Sequence, residues 1–190
     1  MNIEYELKFA ATPEVLEAVK RDLGGEWTRY DMRTTYYDAP GGGLSARKWT
    51  LRRRMENGVS VCTLKTPAPE GRREYDVVCD SIEKGIAELC KLGAPEELLS
   101  LTKDGVREVC GAAFTRYAKR IELPGGAAEV ALDLGELFAG GNRQPLCELE
   151  VERKEGEPAW TAAYAGHLAK TYPLKLENKS KFKRALALAR

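Results

Sequence analysis

Histidine is nearly absent from this chain of 190 residues, which contains only His167. Cysteine is sparse and unpaired: Cys62, Cys79, Cys90, Cys110 and Cys147 are odd in number, scattered, and form no CxxC pair. These two shortages exclude a zinc site of the usual ligand spacing and a disulfide framework. The reading is of reduced thiols in a cytoplasmic protein, with His167 a surface or satisfied histidine in a helix. No stretch approaches the roughly 20 apolar residues that span a bilayer, and no secretory apolar segment precedes the first charged strand. The expectation is therefore no membrane contact. Basic excess is also missing, since 30 Lys+Arg meet 29 Asp+Glu for a net charge of +1. That removes the overall electrostatic signature of a nucleic-acid binder. No repeat and no low-complexity segment occurs. No serine or cysteine has a visible base partner, so a nucleophilic mechanism has little support.

What the chain has instead is charge in strands. It is 31% charged and 43% hydrophobic, enough for one core, and is expected to form a single domain over 1–190. The first stretch, Ile3 to Phe9, alternates: Glu4, Glu6 and Lys8 share one face, Ile3, Tyr5, Leu7 and Phe9 the other. Thr12-Pro13-Glu14 then opens a helix with apolar Val15, Leu16, Val19 and Leu23, stopped by Gly24-Gly25. Strands follow at about 29–38, 49–55, 59–66 and 72–79, the middle pair joined by an Asn57-Gly58 hairpin turn. From Ser81 to about Gly111 the apolar spacing is helical, which reads as covering material inserted in the domain. Strands resume at about 114–123, 127–134 and 146–154, and helices occupy about 158–190.

These eight strands joined by turns predict an α+β fold built on an antiparallel sheet or closed barrel. Alternating strands usually turn their charged face to water. Here the helices carry apolar stripes that need an apolar sheet face to cover. The charges are also sorted by strand: Glu4/Glu6, Glu74/Asp76, Glu129/Asp133 and Glu148/Glu150/Glu152 are acidic, while Arg52/Arg54, Lys65 and Arg116/Arg120 are basic. That sorting favours a barrel with charged groups inside and apolar groups outside. Unpaired charge in an interior is costly, so such a barrel must hold water, ions and ligand. Clustered carboxylates call for hard divalent cations, Mg²⁺ or Mn²⁺. Clustered Arg and Lys call for a polyanion whose oxygens suit bidentate guanidinium contacts. A metal-bound chain of phosphates meets both demands.

The ordered motifs resemble the CYTH domain, or triphosphate tunnel metalloenzyme, family over nearly the whole chain. Glu4-x-Glu6-x-Lys8 resembles its ExExK signature, and Thr35-Tyr36-Tyr37-Asp38-Ala39-Pro40 its Y-(F/Y)-D-T-P segment. Leu51-Arg52-Arg53-Arg54 is similar to L-R-x-R, and Thr63-Leu64-Lys65 to T-L-K. Arg73-Glu74-Tyr75-Asp76 resembles R-x-E-(W/Y)-E with Asp in the last place, Glu148-Leu149-Glu150-Val151-Glu152 the late E-L-E-x-E strand, and Lys179-Ser180-Lys181 the closing K-S-K.

The resemblance implies an eight-stranded antiparallel tunnel, helices packed outside, that binds a small-molecule triphosphate or polyphosphate with Mg²⁺ or Mn²⁺. It assigns catalysis to Glu4, Glu6, Lys8, Glu148 and Glu150. It makes Lys8, Arg52, Arg54, Lys65 and Arg116 phosphate ligands, with Arg120, Lys179 and Lys181 as further contacts. Metal would lie on Glu4, Glu6, Glu148 and Glu150, with Glu74, Asp76, Glu129, Asp133 and Glu152 as further ligands. Arg53, Arg73 and Lys119, in the opposite phase, read as solvated, and Asp38 as a strand end. The expected reaction is hydrolysis of inorganic tripolyphosphate to pyrophosphate and phosphate. The rival readings are an organic triphosphate enzyme (thiamine triphosphatase or class IV adenylyl cyclase) and a noncatalytic polyphosphate-binding module. Trp27, Trp49, Tyr36 and Tyr37 could stack a base, although core packing is the ordinary job of each.

Overall fold

A computed structural model describes residues 2–69 and 71–189, with Asn2 described by its backbone. The first strand is interrupted once, at Tyr5, giving β1 (Asn2–Glu4) and β2 (Glu6–Ala10). After α1 (Pro13–Leu23) come β3 (Thr28–Asp38), the short α2 (Gly43–Ala46), β4 (Thr50–Glu56), β5 (Val59–Ala68) and β6 (Gly71–Val78). Two helices, α3 (Ile82–Lys91) and α4 (Glu97–Leu101), precede three long strands, β7 (Arg107–Leu123), β8 (Gly126–Ala139) and β9 (Asn142–Gly156). The chain ends in α5 (Pro158–Thr171), β10 (Lys175–Leu176) and α6 (Lys181–Ala187).

Local chemistry sets these limits. Thr12, Ser81 and Ser180 cap α1, α3 and α6 by accepting from the backbone N–H three residues on. Asn57 (φ 48°) and Gly58 (φ 87°) form the two-residue turn between β4 and β5, where both positions need positive φ. Asp38 does more than end its strand. Its buried carboxylate accepts from the N–H groups of Ala39, Leu44 and Ser45 and so folds the Pro40–Gly42 turn into α2.

All strand pairs are antiparallel, in the order β1-β6-β5-β4-β3-β7-β8-β9-β2-β10. The two ends of that order are one strand: β1 pairs with β6, β2 with β9, and only Tyr5 separates them. The Tyr5 carbonyl accepts from the Arg153 N–H at 2.9 Å, which keeps the bridge in register. The N-terminal strand therefore closes the sheet into a ring. With β1 and β2 counted as one strand and the two-residue β10 set aside, the ring has the eight strands expected.

Where helices cover it the outer face is apolar, while β3 turns exposed Arg29, Asp31 and Arg33 outward. α3 and α4 cover Leu51, Cys62, Leu64 and Tyr75 with Ile82, Ile86, Leu89 and Leu98. α1 and α5 cover Phe9, Val130, Leu132, Leu149 and Val151 with Val15, Leu16, Val19, Ala165 and Leu168. α6 differs from the other helices. Its Phe182 and Ala185 pack against Met32, Tyr36, Phe114, Leu137 and Leu146, which lie on the inward-facing side of their strands.

Two expectations need correction. The helical stretch ends at Leu101, not near Gly111, because β7 begins at Arg107 and pairs with β3 from Asp38 back to Thr28. β8 and β9 likewise run further than read, to a tight Gly140-Gly141 turn, where both glycines have positive φ. Among the described residues no helix is long and apolar enough to cross a membrane.

Gly71 tests the closure. It has φ 104°, and a Cβ there would sit 2.2 Å from the Glu4 carbonyl oxygen on β1. Gly71→Ala should destabilise the fold by about 1–3 kcal/mol in urea unfolding. An unchanged midpoint would mean that β1 does not close against β6.

Candidate functional site

The inward faces of the ring enclose a cavity of about 880 Å³. The strand registers explain which side chains reach it. Tyr36, Arg52, Thr63 and Asp76 form one row across β3, β4, β5 and β6, and Thr50, Lys65 and Glu74 form the next. On the opposite wall, Lys8 and Glu150 pair across β2 and β9. Glu6, Glu152 and Glu129 make a carboxylate row across β2, β9 and β8.

Of the residues singled out from sequence, Glu4, Glu6, Lys8, Arg52, Arg54, Lys65, Glu74, Asp76, Arg116, Glu129, Glu150, Glu152 and Lys181 line this cavity. Arg120 and Lys179 do not. Arg120 shares the inward phase but lies near the end of β7, where its guanidinium pairs at the surface with Glu122 and Glu155. Lys179 is exposed just before α6, and only its backbone N–H is engaged, to Glu177. Asp133 and Glu148 are wholly buried behind the cavity wall. Arg53 donates to the Asp80 carbonyl, and Lys119 to the carbonyls of Leu23 and Gly24 at the end of α1, both away from the cavity.

Sequence reading missed Arg72, Lys154 and Arg184. Arg72 and Lys154 line the cavity, and both were recoverable from phase, because each lies two residues from an inward carboxylate, Glu74 or Glu152. A single nitrogen of Arg72 donates to the Lys48 and Lys65 carbonyls and to Thr50 Oγ1, tying β4, β5 and β6 together. Arg184 lies on α6 and pairs with Glu148 across 36 residues of chain, a contact with no local signal.

The interior charges form three networks beside a separate pair, Lys8 with Glu6 at 2.8 Å. In the first, Lys65 bridges Glu4 at 2.5 Å and Glu74 at 3.4 Å, and Arg52 reaches Glu74 at 3.2 Å. In the second, Lys154 sits between Glu152 at 2.9 Å and Glu129 at 3.5 Å. The third is the most buried. Arg116 holds Asp133 through two bonds of 2.7 Å and also touches Glu150. The Lys181 ammonium is 2.7 Å from Asp133 and from Glu150 and also contacts Glu148, while Arg184 closes on the other oxygen of Glu148. Asp133, Glu148 and Glu150 each offer an oxygen within 4.8 Å of the others.

These surroundings shift the titration of the groups. Burial disfavours ionisation of Glu150, but Lys181, Arg116 and Lys8 outweigh it and hold its pKa well below the carboxylate range. Burial opposes the charge on Lys181 and Arg116 too, and their carboxylate partners raise both nonetheless. For Glu152, burial dominates over Lys154, and with Glu4 and Glu129 nearby its pKa is raised.

Arg54 is the exception to the balance. It is 6% exposed, its Nε donates to Thr34 Oγ1 at 2.9 Å, and its nearest carboxylate is Glu56 at 3.7 Å. Burial and repulsion from Arg52 and Arg116 push it down to about 10. Beside it, the buried Nε of Arg52 has no hydrogen-bond partner. The two arginines form an anion-seeking wall opposite a wall of carboxylates.

Several known proteins are similar to this chain. The CYTH domain family model matches residues 2–186. An inorganic triphosphatase of Haemophilus influenzae is 30% identical over 162 residues, which is 80% of this chain and 46% of that protein. The chain thus spans about half the length of this curated relative. Among solved structures, protein PH1819 of Pyrococcus horikoshii OT3 superposes with a TM-score of 0.67 at 24% identity, covering 97% of this chain and 98% of that one. HpAC1 from Hippeastrum, assigned as an adenylyl cyclase and described as having a dominant triphosphatase activity, gives 0.68 at 18% identity, covering 100% and 97%. At these identities the two structures speak to the fold.

An uncompensated buried cation costs stability. Arg54→Met should therefore raise the stability of the ligand-free protein by about 1 kcal/mol. Asp133→Asn, which strips a partner from Arg116 and Lys181, should cost about 3–5 kcal/mol. Chemical denaturation of the two variants checks both signs, and a destabilised Arg54→Met would show that Arg54 is already matched.

Proposed function

Because the chain belongs to the CYTH domain family, we propose that it hydrolyses a triphosphate with the help of a divalent metal, the substrate being inorganic tripolyphosphate. One observation carries this reading: the under-matched Arg54, with the unpartnered Nε of Arg52 beside it, in a cavity whose opposite wall carries carboxylates. A chain of phosphates supplies the missing negative charge along an extended path. Its oxygens accept from guanidinium groups in the bidentate manner that Arg favours.

The donors present fit a hard cation. They are carboxylate oxygens, and the Glu6–Glu152–Glu129 row gathers three of them on adjacent strands at the cavity surface, with Lys8 and Lys154 as their resting partners. Glu4, Glu6, Glu150 and Glu152 would hold Mg²⁺ or Mn²⁺ at the cavity surface, with Glu148 and Asp133 behind and Glu74, Asp76 and Glu129 as further donors. When bound, the metal supplies neutralisation of phosphate oxygens and a more acidic water. The rest falls to the chain. Arg52, Arg54, Arg116, Lys8 and Lys65 bind and align the phosphates, and their fixed positive charge meets the charge that develops on the transferred group. The ion networks hold these side chains in place before substrate arrives.

The four aromatic residues singled out from sequence give no support to a base-stacking site, while half-buried Tyr30 also borders the cavity. Tyr36 and Trp49 border the cavity but are 3% and 8% exposed, and Tyr37 belongs to the core beneath α3. Trp27 packs outside the ring against the α1 and α5 layer. None of these four offers an open face to a base. The five free cysteines suit the cytoplasm, where we place the protein.

Phosphate release from tripolyphosphate, ATP, thiamine triphosphate and pyrophosphate, each with Mg²⁺, Mn²⁺ or EDTA, tests the reading. The expected result is metal-dependent release from tripolyphosphate above all others. Release only from an organic triphosphate would overturn the substrate, and binding without any turnover would overturn the reaction. Two variants test the roles. Glu4→Ala should lower kcat by roughly tenfold or more, with partial rescue by excess metal. Arg52→Ala should mainly raise KM, by roughly 10- to 100-fold. Unchanged kinetics in both variants would remove the substrate from the cavity.

A further inference from the structure

The cavity has a mouth at each end of the ring, and the two differ in charge. At one, Glu56 and Asp76 near the ends of β4 and β6 face Glu129 and Glu152, which share Lys154. The other lies at the starts of β4 and β6, at Thr50 and Arg72, beside Lys48, and α6 faces it with Lys183. Arg72 is half-buried there, and a single nitrogen, Nη2, donates to the Lys48 and Lys65 carbonyls and to Thr50 Oγ1. Among the described residues its Nε and Nη1 have no acceptor, so a guanidinium already fixed in place keeps unused donors at the mouth. Burial outweighs the pull of Glu4 and Glu74 and lowers its pKa. Those two carboxylates are held by Lys65 and Arg52.

Lys48 adds an independent sign. It stands at φ 58°, where glycine is the ordinary residue. It is the left-handed residue that ends α2: its N–H donates to the Ser45 carbonyl at 2.9 Å, and the Trp49 N–H to the Leu44 carbonyl at 3.0 Å. The chain accepts backbone strain at this point and places an exposed lysine on it.

We propose that Arg72, Lys48 and Lys183 form an anion subsite for the phosphates beyond the third in a linear inorganic polyphosphate, which leaves the cavity through this mouth alone. The inference rests on the triphosphate reading above and deepens it, because it makes chain length the property by which the protein selects its substrate. Arg54, Arg52 and Thr50 succeed one another on the inward face of β4, and Arg72 bonds Thr50, so donors run in a line from the under-matched Arg54 to the mouth. At the far mouth a further phosphate meets Glu56, Asp76, Glu129 and Glu152, which repel it. An RNA bearing a 5′-triphosphate would also bring phosphates here, but its bases need stacking faces, and Trp49 beside the mouth is 8% exposed.

The test is calorimetric binding in EDTA, where no turnover intervenes, of tripolyphosphate, tetrapolyphosphate and a longer linear polyphosphate. Wild type is compared with Lys48→Gly, Lys183→Met, the double variant, and Lys170→Met, a charge change on the exposed surface of α5. Arg72 is left in place because it also ties three strands together. Lys48→Gly suits the left-handed backbone, so the variant keeps the fold. Wild type and Lys170→Met should bind the longer chains about tenfold more tightly than tripolyphosphate. The double variant should lose that preference and bind tripolyphosphate as wild type does, with each single variant in between. Equal affinities in wild type, no binding of any chain, or a double variant that keeps the preference would overturn the subsite. So would a 5′-triphosphate RNA that binds wild type more tightly than the longer polyphosphate does. Phosphate release from tripolyphosphate by wild type with Mg²⁺, measured separately, distinguishes the two failures. Release without a chain-length preference sinks the subsite alone, and a preference carried by Lys48 and Lys183 without release sinks the triphosphatase reading alone.

Discussion

Charge cannot be enclosed in a barrel without a partner, and this molecule is built around that constraint. Most of its outer face is covered by helices, so the charged faces of those strands have only the interior to occupy. Most carboxylates there are met by lysine or arginine, and the most buried, Glu148 and Asp133, each contact two cations, Lys181 with Arg184 and Lys181 with Arg116. Arg54 departs most from the pattern. Arg54 leans on a hydroxyl and a distant glutamate, and Arg52 keeps an idle Nε. At Arg54 the positive charge is under-matched, which is the feature the proposed phosphate chain would meet.

The N-terminal strand joins fold to site. The same few residues close the ring, through β1 on β6 and β2 on β9, and deliver Glu4, Glu6 and Lys8 to the cavity. Glu4 then pairs with Lys65 of β5, so an ion pair of the site also spans the seam of the barrel. α6 makes a similar link at the other end of the sequence. Its apolar residues seat on the inward face of β3, β7, β8 and β9, and its lysine and arginine serve the deepest carboxylates. Closure, charge balance and the lining of the cavity therefore share residues.

Much of this was legible in the sequence because strand alternation is a strict rule. Phase alone put Arg52, Arg54, Lys65, Arg116, Glu150 and Glu152 on one side, and all of them reach the cavity. Phase fails where a strand outruns the barrel: Arg120 keeps the inward parity yet pairs with Glu155 at the rim. It also cannot tell a cavity wall from the space behind it, which is where Asp133 and Glu148 lie. The start of β7 was hidden because Val106, Val109 and Cys110 extend the apolar spacing of the helices before them, and only pairing with β3 fixes residues 107–111 as strand. The grip of Lys181 and Arg184 on Glu148 joins residues more than 30 apart, beyond the reach of any local pattern.

The account stands or falls on where a phosphate chain binds. The direct measurement is a crystal structure with a non-hydrolysable tripolyphosphate analogue and Mn²⁺. The account predicts ligand density inside the ring, with oxygens on Arg52 and Arg54 and the metal on the carboxylate wall. Density outside the barrel, or a filled cavity in which Arg54 still contacts only Thr34 and Glu56, would contradict it.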